Sequence, residues 1–153
     1  MLDDRDRRLL ALLQVDADTS LASLAEAVSL SVSACSRRIA RLAEAGYVAR
    51  RVARLDRRRI GLPTTVWVLL KTGRHDGEWL DKFRRAIGDI PEIVEVHRLT
   101  GNVDYIMKLA LPNVEHYDDV YKRLIHRIEL FDVSAYISME TVKADGPLST
   151  DFA

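Results

Sequence analysis

A thirteen-residue segment at residues 30–42, LSVSACSRRIARL, constrains the fold of this chain more than any other. Its apolar side chains recur at intervals of three, four and three residues, which places them on one stripe of an α-helix. They are Val32, Cys35, Ile39 and Leu42. Serine and arginine fall largely off that stripe, at Ser33, Ser36, Arg37 and Arg41. Such a helix has the chemistry to enter a DNA major groove, where arginine reads guanine edges and serine contacts a base or a phosphate.

An ordinary amphipathic helix with solvated arginines would show the same pattern, so the flanking segments decide between the two interpretations. Leu2–Leu13 predicts a first helix, with acidic residues near its positive end. Thr19 or Ser20 offers an N-cap for a second helix. A three-residue turn then ends at Ser31, which is placed to cap the third helix, and Gly46 supplies the left-handed residue that ends it. Three short helices joined in this way describe a helix-turn-helix.

A basic surface accompanies these helices. The chain as a whole has no net charge, but residues 1–62 carry +4 and the remainder −4. Nine arginines and only two acidic residues lie between Arg37 and Arg59. Because the local field rather than the net charge steers a polyanion, this segment is suited to nucleic acid. Residues 47–56 alternate imperfectly and predict a strand, a wing or linker whose arginines would lie near phosphates.

The remaining residues predict one antiparallel sheet with two helices. Predicted strands cover residues 65–72, 93–100, 104–111 and 133–142, and predicted helices cover 77–88 and 117–128. Gly101-Asn102 is typical of a tight turn joining the middle two strands. The order β-α-β-β-α-β is a split βαβ sandwich with both helices on one face. The opposite face needs cover, and we expect a second copy of the chain to provide it.

Pro63 marks the predicted boundary between a helix-turn-helix domain with its linker strand, residues 1–62, and a second domain, residues 63–153. The fold class is therefore α+β. The 153 residues include one cysteine and no apolar run of roughly 20 residues, and four of the first six residues are charged. We accordingly expect a cytoplasmic protein that does not contact a membrane and contains no disulfide framework.

Catalysis finds little support in the residue pattern. The four histidines lack the close pairing typical of a metal site, no glycine-rich phosphate loop is present, and Cys35 is more typical of a small core residue. We expect no catalytic residue, no metal and no cofactor.

Several motifs together resemble the Lrp/AsnC, or feast/famine, family of bacterial transcription regulators, nearly from end to end. The opening resembles LDxxDxxLL at residues 2–10, and the third helix resembles LSxS at 30–33 with RIxxL at 38–42 and Gly46. Leu55-Asp56 with Gly61 resembles the family's linker, and TGxxDY at residues 100–105 resembles the hairpin of its ligand-sensing domain. The resemblance implies a winged helix-turn-helix followed by a ferredoxin-like, RAM-type domain.

The resemblance also implies partners: double-stranded DNA, a small effector that is usually an amino acid, and further copies of the chain as a dimer, tetramer or octamer. Carried over by position, the effector-binding residues are Leu99, Thr100, Gly101, Asn102, Asp104 and Tyr105. We expect backbone amides near Gly101 to receive the effector carboxylate and Asp104 to pair with its ammonium group. The alternative is that Gly101-Asn102 only turns the hairpin and that Asp104 only caps it.

Two positions depart from the family pattern. The helix-turn-helix turn often has glycine where this chain has Ser29, so the backbone there must tolerate strain or form a different turn. Residues 143–148, KADGPL, replace a more usual threonine-rich stretch. Effector contacts from that end of the chain are therefore not expected to follow the family.

Taken together, the sequence predicts a sequence-specific, DNA-binding transcription regulator that responds to a small effector. The predicted DNA contacts are Ser31, Ser33, Ser36, Arg37, Arg38, Arg41, Arg50, Arg51 and Arg54, with bracing of the helix as an alternative role for Arg38. Two alternatives stay open. Sirohaem decarboxylases share this architecture and use histidines of the second domain, which would single out His97. An amino-acid sensor that does not bind DNA is the other.

Overall fold

The computed structural model describes residues 2–152, which form two compact units. The first contains the residues up to Arg54 together with those from Val142, and the second spans Leu55–Thr141. This division differs at its edges from the predicted domains, 1–62 and 63–153. The C-terminal segment belongs to the first unit because the backbone of Leu148 exchanges two hydrogen bonds with the Gln14 side chain, at 2.7 and 2.8 Å. No described helix has the length and apolarity to cross a bilayer.

Three helices make up the first unit: α1 (Asp4–Val15), α2 (Leu21–Ala27) and α3 (Val32–Glu44). Each begins at a side-chain cap that accepts a hydrogen bond from a free backbone N–H of the first turn. Asp3 caps α1 and forms a reciprocal capping box with Asp6, while Ser20 caps α2 and Ser31 caps α3. The predicted cap at Ser31 is confirmed, and of the two residues offered for α2, Ser20 is the cap.

The core of the first unit forms where apolar stripes of the three helices meet. It is built around Leu9, Leu24, Cys35 and Leu42. Cys35 is fully buried, as predicted for a core residue. Val32, however, is 49% exposed, so the predicted stripe of α3 begins one turn later.

Two left-handed residues shape the connections around α3. Ser29 has φ +53°. The serine therefore adopts the left-handed backbone conformation that glycine would favour in this turn. Gly46 has φ +80° and ends α3, as predicted, and the N–H of Tyr47 donates to the Leu42 carbonyl at 3.0 Å.

The predicted strand at residues 47–56 is wrong. These residues form no ladder with any strand of the described chain and are mostly exposed. A strand needs a neighbour to satisfy its backbone groups, and alternation alone does not supply one. A turn at residues 57–61 follows, and the Arg57 guanidinium donates to the Thr65 hydroxyl at 2.7 Å, which connects this turn to the first strand.

The second unit has the predicted β-α-β-β-α-β order. Its elements are β1 (Thr64–Lys71), α4 (Gly77–Gly88), β2 (Ile93–Arg98), β3 (Tyr105–Leu111), α5 (His116–Ile125) and β4 (Asp132–Ile137). All pairings are antiparallel, in the order β2-β3-β1-β4. The predicted tight turn between β2 and β3 is instead a loop over residues 99–104. β4 is shorter than predicted because its pairing with β1 ends at Ile137.

Strand alternation divides the sheet into a covered face and an open one. On the covered face, Phe83 of α4 lies between Trp79 and Tyr105, with ring centroids 5.0 and 4.7 Å away. Trp67, Leu69, Ile106 and Tyr136 fall on the alternate positions of β1, β3 and β4, which form the open face. The expectation that this face requires cover therefore rests on identified side chains.

Replacing Phe83 with alanine should destabilise the second unit by about 3–5 kcal/mol, because the ring is 1% exposed and its removal leaves a cavity. Both tryptophans of the chain, Trp67 and Trp79, lie in this unit, so tryptophan fluorescence during urea unfolding reports it selectively. Phe131→Ala is the matched control, since Phe131 is 78% exposed and should change stability by less than about 0.5 kcal/mol. Equal effects of the two changes would contradict this account of the core.

Candidate DNA-binding surface and effector site

Helix α3 presents a polar surface to solvent. Cys35 and Leu42 anchor the helix in the core of the first unit, which leaves the opposite side free. Four of the predicted DNA-binding residues are exposed on this helix: Ser33, Ser36, Arg37 and Arg41. Small hydroxyl side chains near the start of the helix and guanidiniums further along make a surface of the kind that reads base edges.

Ser31 is the N-cap of α3. Its hydroxyl accepts the N–H of Ala34 at 3.2 Å and lies 3.3 Å from the hydroxyl of Ser33. The residue is exposed, so a phosphate oxygen could approach the same group, but the cap is its role in the free protein.

A carboxylate cluster holds two arginines of α3. One nitrogen of Arg38, Nη1, lies 2.8 Å from Asp6 Oδ1 and 2.5 Å from Asp3 Oδ2. Nη2 of Arg41 lies 2.6 Å from Asp6 Oδ2. In the structure, Arg38 therefore makes the contacts of its alternative role, in which it braces α3 against α1. Arg41 also contacts Asp6, but 60% of its side chain remains exposed to solvent.

Asp6 is the most buried charged residue of this surface, at 1% exposure. Burial raises the pKa of its carboxyl, but hydrogen bonds from Arg38 and from the Asp3 backbone outweigh burial and lower the pKa overall. The hydrogen bonds that Arg38 donates to Asp3 and Asp6 in turn raise the pKa of its guanidinium. Sequence reasoning missed this role of Asp6. The signal available was an acidic residue three positions after an aspartate N-cap, which is a capping box.

The other predicted DNA contacts differ in their partners. Arg37, Arg50 and Arg51 are exposed and have no ion-pair partner within residues 2–152. Nη2 of Arg54, by contrast, lies 2.6 Å from Asp145 Oδ1, in the C-terminal segment that belongs to the same unit. A phosphate would have to compete with Asp145 for Arg54, whereas it would meet the first three guanidiniums uncompensated.

The predicted effector residues lie in and beside the β2–β3 loop. Leu99, Thr100, Gly101 and Asn102 are exposed there. Gly101 has φ +112°, a conformation that residues with a Cβ rarely adopt, and no atom lies within 4 Å of where a Cβ would stand. Its backbone is therefore open to a ligand.

Asp104 caps the loop. Its Oδ2 accepts the N–H of Thr72 at 2.8 Å, its own N–H donates to the Leu70 carbonyl at 2.9 Å, and its carbonyl accepts the N–H of Leu99 at 2.8 Å. The capping alternative is thus present in the structure, with no hydrogen bond to Oδ1 among the described residues.

Tyr105 differs from the other predicted effector residues, because its side chain is 6% exposed and packs against Phe83 in the core. The alternation of β3 turns it toward the helices, away from a surface cleft.

A second acid, which is partly buried, also escaped sequence reasoning. Glu92 precedes β2, and its Oε1 lies 2.9 Å from His116 Nε2 and also contacts the Arg123 guanidinium. Burial raises the pKa of Glu92, but the hydrogen bonds from Arg123 and His116 outweigh it and lower the pKa to about 2. Its partners lie on α5, 24 and 31 residues further along the chain, and no local pattern connects them.

His97, the histidine singled out for a decarboxylase, is exposed. Its Nε2 lies 2.6 Å from Oε1 of the exposed Glu95, two residues away on the same strand. Within residues 2–152, no group of three or more His, Cys, Asp and Glu side chains could hold a metal ion.

A helix-turn-helix with an exposed serine and arginine face, joined to a βαββαβ unit with an open loop, defines a class: DNA-binding regulators with a ligand domain. Two family models match in the same order. Residues 2–55 match a winged helix-turn-helix DNA-binding domain, and residues 65–148 match the Lrp/AsnC ligand binding domain. The chain belongs to the Lrp/AsnC family of transcription regulators.

Curated relatives agree over almost the full chain. It is 59% identical over 152 residues to the HTH-type transcriptional regulator Zrp of Zymomonas mobilis, covering 99% of both chains. It is 44% identical to the glutamate uptake regulatory protein of the same species, covering 93% of this chain and 87% of that one. With the DNA-binding transcriptional activator DecR of Escherichia coli it shares 42% identity, over 94% and 95% of the two chains. Two of these three relatives are named as regulators of transcription, and the third is named as a regulatory protein.

The fold is also that of solved relatives. An AsnC family transcriptional regulator from Agrobacterium tumefaciens superposes with a TM-score of 0.93 at 40% identity, over 99% of both chains. A transcriptional regulator from Neisseria meningitidis, solved in complex with L-Met, gives a TM-score of 0.93 over 99% of both chains at 24% identity. The expected fold class and the expected family are confirmed.

Glu92 should make the second unit sensitive to acid. Because its pKa falls from 4.5 to about 2 on folding, its contribution to stability is present above pH 4.5 and is lost as pH falls from there toward 2. Glu92→Gln should therefore flatten the dependence of unfolding free energy on pH over that interval, measured by tryptophan fluorescence in urea. Glu140→Gln, on the exposed surface of the same unit, is the matched control. An unchanged slope in Glu92→Gln would contradict the assignment.

Proposed function

We propose that this regulator acts as a cytoplasmic homodimer, which inserts one α3 from each copy into successive major grooves of double-stranded DNA. The exposed serine and arginine face of α3 carries this proposal, because its core anchors point away from it. Two copies related by a twofold axis would contact half-sites one or more helical turns apart. The chain acts as a regulator and not as an enzyme, in keeping with its relatives.

The arginines divide into two groups. Arg37 and Arg41, together with Ser33 and Ser36, lie on the exposed part of α3 and would contact base edges or the phosphates beside them. Arg50, Arg51 and Arg54 lie on the segment after α3 and would add affinity that does not depend on sequence. Arg54 would do so after releasing Asp145.

Arg37→Ala should relax sequence preference, whereas Arg51→Ala should weaken binding to all duplexes about equally. A duplex selected by the wild type from a random pool serves as the specific probe, and an unselected duplex as the non-specific one. Fluorescence anisotropy over a series of salt concentrations measures both.

If about six phosphates are neutralised, log affinity of the wild type should fall against log salt with a slope of about −5. A slope near zero would contradict DNA binding of this kind.

The open face of the sheet is the proposed dimer surface. Trp67, Leu69, Ile106 and Tyr136 give it an apolar centre, and a second copy would present the same residues in return. Two such dimers would form a tetramer and four an octamer, the assemblies that the family resemblance implies.

The effector is proposed to be an amino acid bound at the β2–β3 loop. The open backbone at Gly101 would receive the carboxylate, and Oδ1 of Asp104 would pair with the ammonium group while Oδ2 keeps its bond to Thr72. Leu99, Thr100 and Asn102 border the same loop. One curated relative is named for glutamate uptake, which favours an amino acid.

Sedimentation velocity with each of the twenty amino acids should show a change of assembly with one of them. Asp104→Asn should remove that response while keeping the fold, because the asparagine oxygen still accepts the Thr72 N–H. An unchanged melting temperature checks the fold of the variant. A wild-type response in Asp104→Asn would leave the residue as a loop cap alone.

A further inference from the structure

The buried carboxylate of Asp6 joins α1 to α3 at the centre of the proposed DNA-reading surface. Its two oxygens divide their contacts, with Oδ1 2.8 Å from Nη1 of Arg38 and Oδ2 2.6 Å from Nη2 of Arg41. Oδ2 also accepts the backbone N–H of Asp3 at 3.3 Å. Because the carboxylate is 1% exposed and accepts these three hydrogen bonds, both of its oxygens are held in position.

Arg38 and Arg41 differ in how they contact this carboxylate and in how much of each side chain stays exposed. Arg38 directs one nitrogen to both Asp3 and Asp6 and is only 25% exposed, so it is withdrawn from the surface. Arg41 gives Asp6 one nitrogen, and the exposed remainder of its guanidinium still carries N–H donors. Arg37 lies one helical turn before Arg41 and is exposed.

These three guanidiniums, with Ala34, line one shallow hollow on α3. Three positive groups crowded into two helical turns repel one another, and the two aspartates offset most of that charge. A guanidinium that is already ordered also loses less conformational freedom when it binds than a mobile one does.

We propose that Asp6 is a positioning residue for sequence recognition: it holds Arg41 in one orientation beside Arg37, which has no ion-pair partner among the described residues. Helix α3 then meets DNA with one arginine preset and one mobile. The proposal rests on the proposed function, since it assumes that α3 reads DNA. In this proposal Arg38 braces α3 against α1, and Arg41 contacts the DNA bases. The proposal also places a determinant of specificity on α1, outside the helix that touches the bases.

Asp6→Asn provides the first test, because it keeps the size of the side chain and removes its charge. Affinity of the full chain is measured for a duplex selected by the wild type and for an unselected duplex, across a salt series. We expect the preference for the selected duplex to fall about tenfold or more. Affinity for the unselected duplex should hold or rise, with a salt slope steeper by about one, since a guanidinium is released to phosphate.

A purely structural role for Asp6 gives a different result, because a destabilised domain would weaken binding to both duplexes in the same ratio. Asp4→Asn is the matched control: it removes the same charge from the same helix, but Asp4 pairs only with Arg7 of α1 among the contacts described. Its duplex preference should equal that of the wild type. Retained preference in Asp6→Asn, or an equal loss in Asp4→Asn, would overturn the proposal.

A double-mutant cycle shows whether Asp6 acts through Arg41. If it does, Asp6→Asn should cause little further loss of preference in an Arg41→Ala background, whereas independent effects would multiply. Multiplying effects would overturn the proposal.

The wild-type protein offers a measurement that needs no variant to fold. NMR relaxation of the arginine side chains in the free protein should show Arg41 nearly as ordered as the backbone, with an order parameter of about 0.85, and Arg37 below about 0.6. Equal mobility of the two would overturn the proposal.

The failure of this inference can be told apart from the failure of the proposed function. If the wild type selects no sequence and binds without salt dependence, the proposed function itself fails. If the wild type selects a sequence and Asp6→Asn keeps the same preference, only this inference fails.

Discussion

The ion cluster of the buried Asp6 with Arg38 and Arg41 is the interaction on which the DNA-reading unit depends. Removing a carboxylate from water costs several kcal/mol, and only close, well-directed donors offset that cost. Asp6 has them because two arginines of α3 and the N–H of Asp3 converge on its two oxygens. Apolar packing alone would allow α3 some rotation against α1, and the fork of charged hydrogen bonds removes that freedom.

The same cluster explains how a small helical unit can keep a dense set of arginines at its surface. Six arginines of this unit lie between Arg37 and Arg54, and their mutual repulsion would oppose folding if none were compensated. The structure compensates some of them with fixed acids, as at Asp6 and Asp145. It leaves Arg37 without an ion-pair partner among the described residues. The surface is thus held in shape by its paired charges and available to a polyanion through its unpaired ones.

Local patterns predicted the elements well where local chemistry determines them. The bounds of α4 and the cap at Ser31 follow from helix periodicity and from the hydrogen bonds of a first turn, both of which lie within a few neighbouring residues. At Ser29 the sequence allowed either a strained backbone or a different turn, and the structure has the left-handed backbone.

The predictions that failed, and the residues that were missed, depend on distant partners. The alternation at residues 47–56 found no strand to pair with. Motif position places Tyr105 among the predicted effector residues, whereas the burial of its side chain depends on Phe83, more than twenty residues away. The contacts of Asp6 with α3 and of Glu92 with α5 join residues 24 or more positions apart, which periodicity cannot reveal. Motif position identified the loop around Gly101, and the tertiary contacts then decided which side chains face solvent there.

The central claim is that α3 reads the major groove of DNA, and methylation interference tests it most directly. A duplex selected by the protein is methylated at guanine N7, which lies in the major groove, and at adenine N3, which lies in the minor groove, before binding. We predict interference at guanine N7 in two clusters separated by an integral number of helical turns, one for each α3 of a dimer. Interference confined to adenine N3, or none at any guanine, would contradict the account.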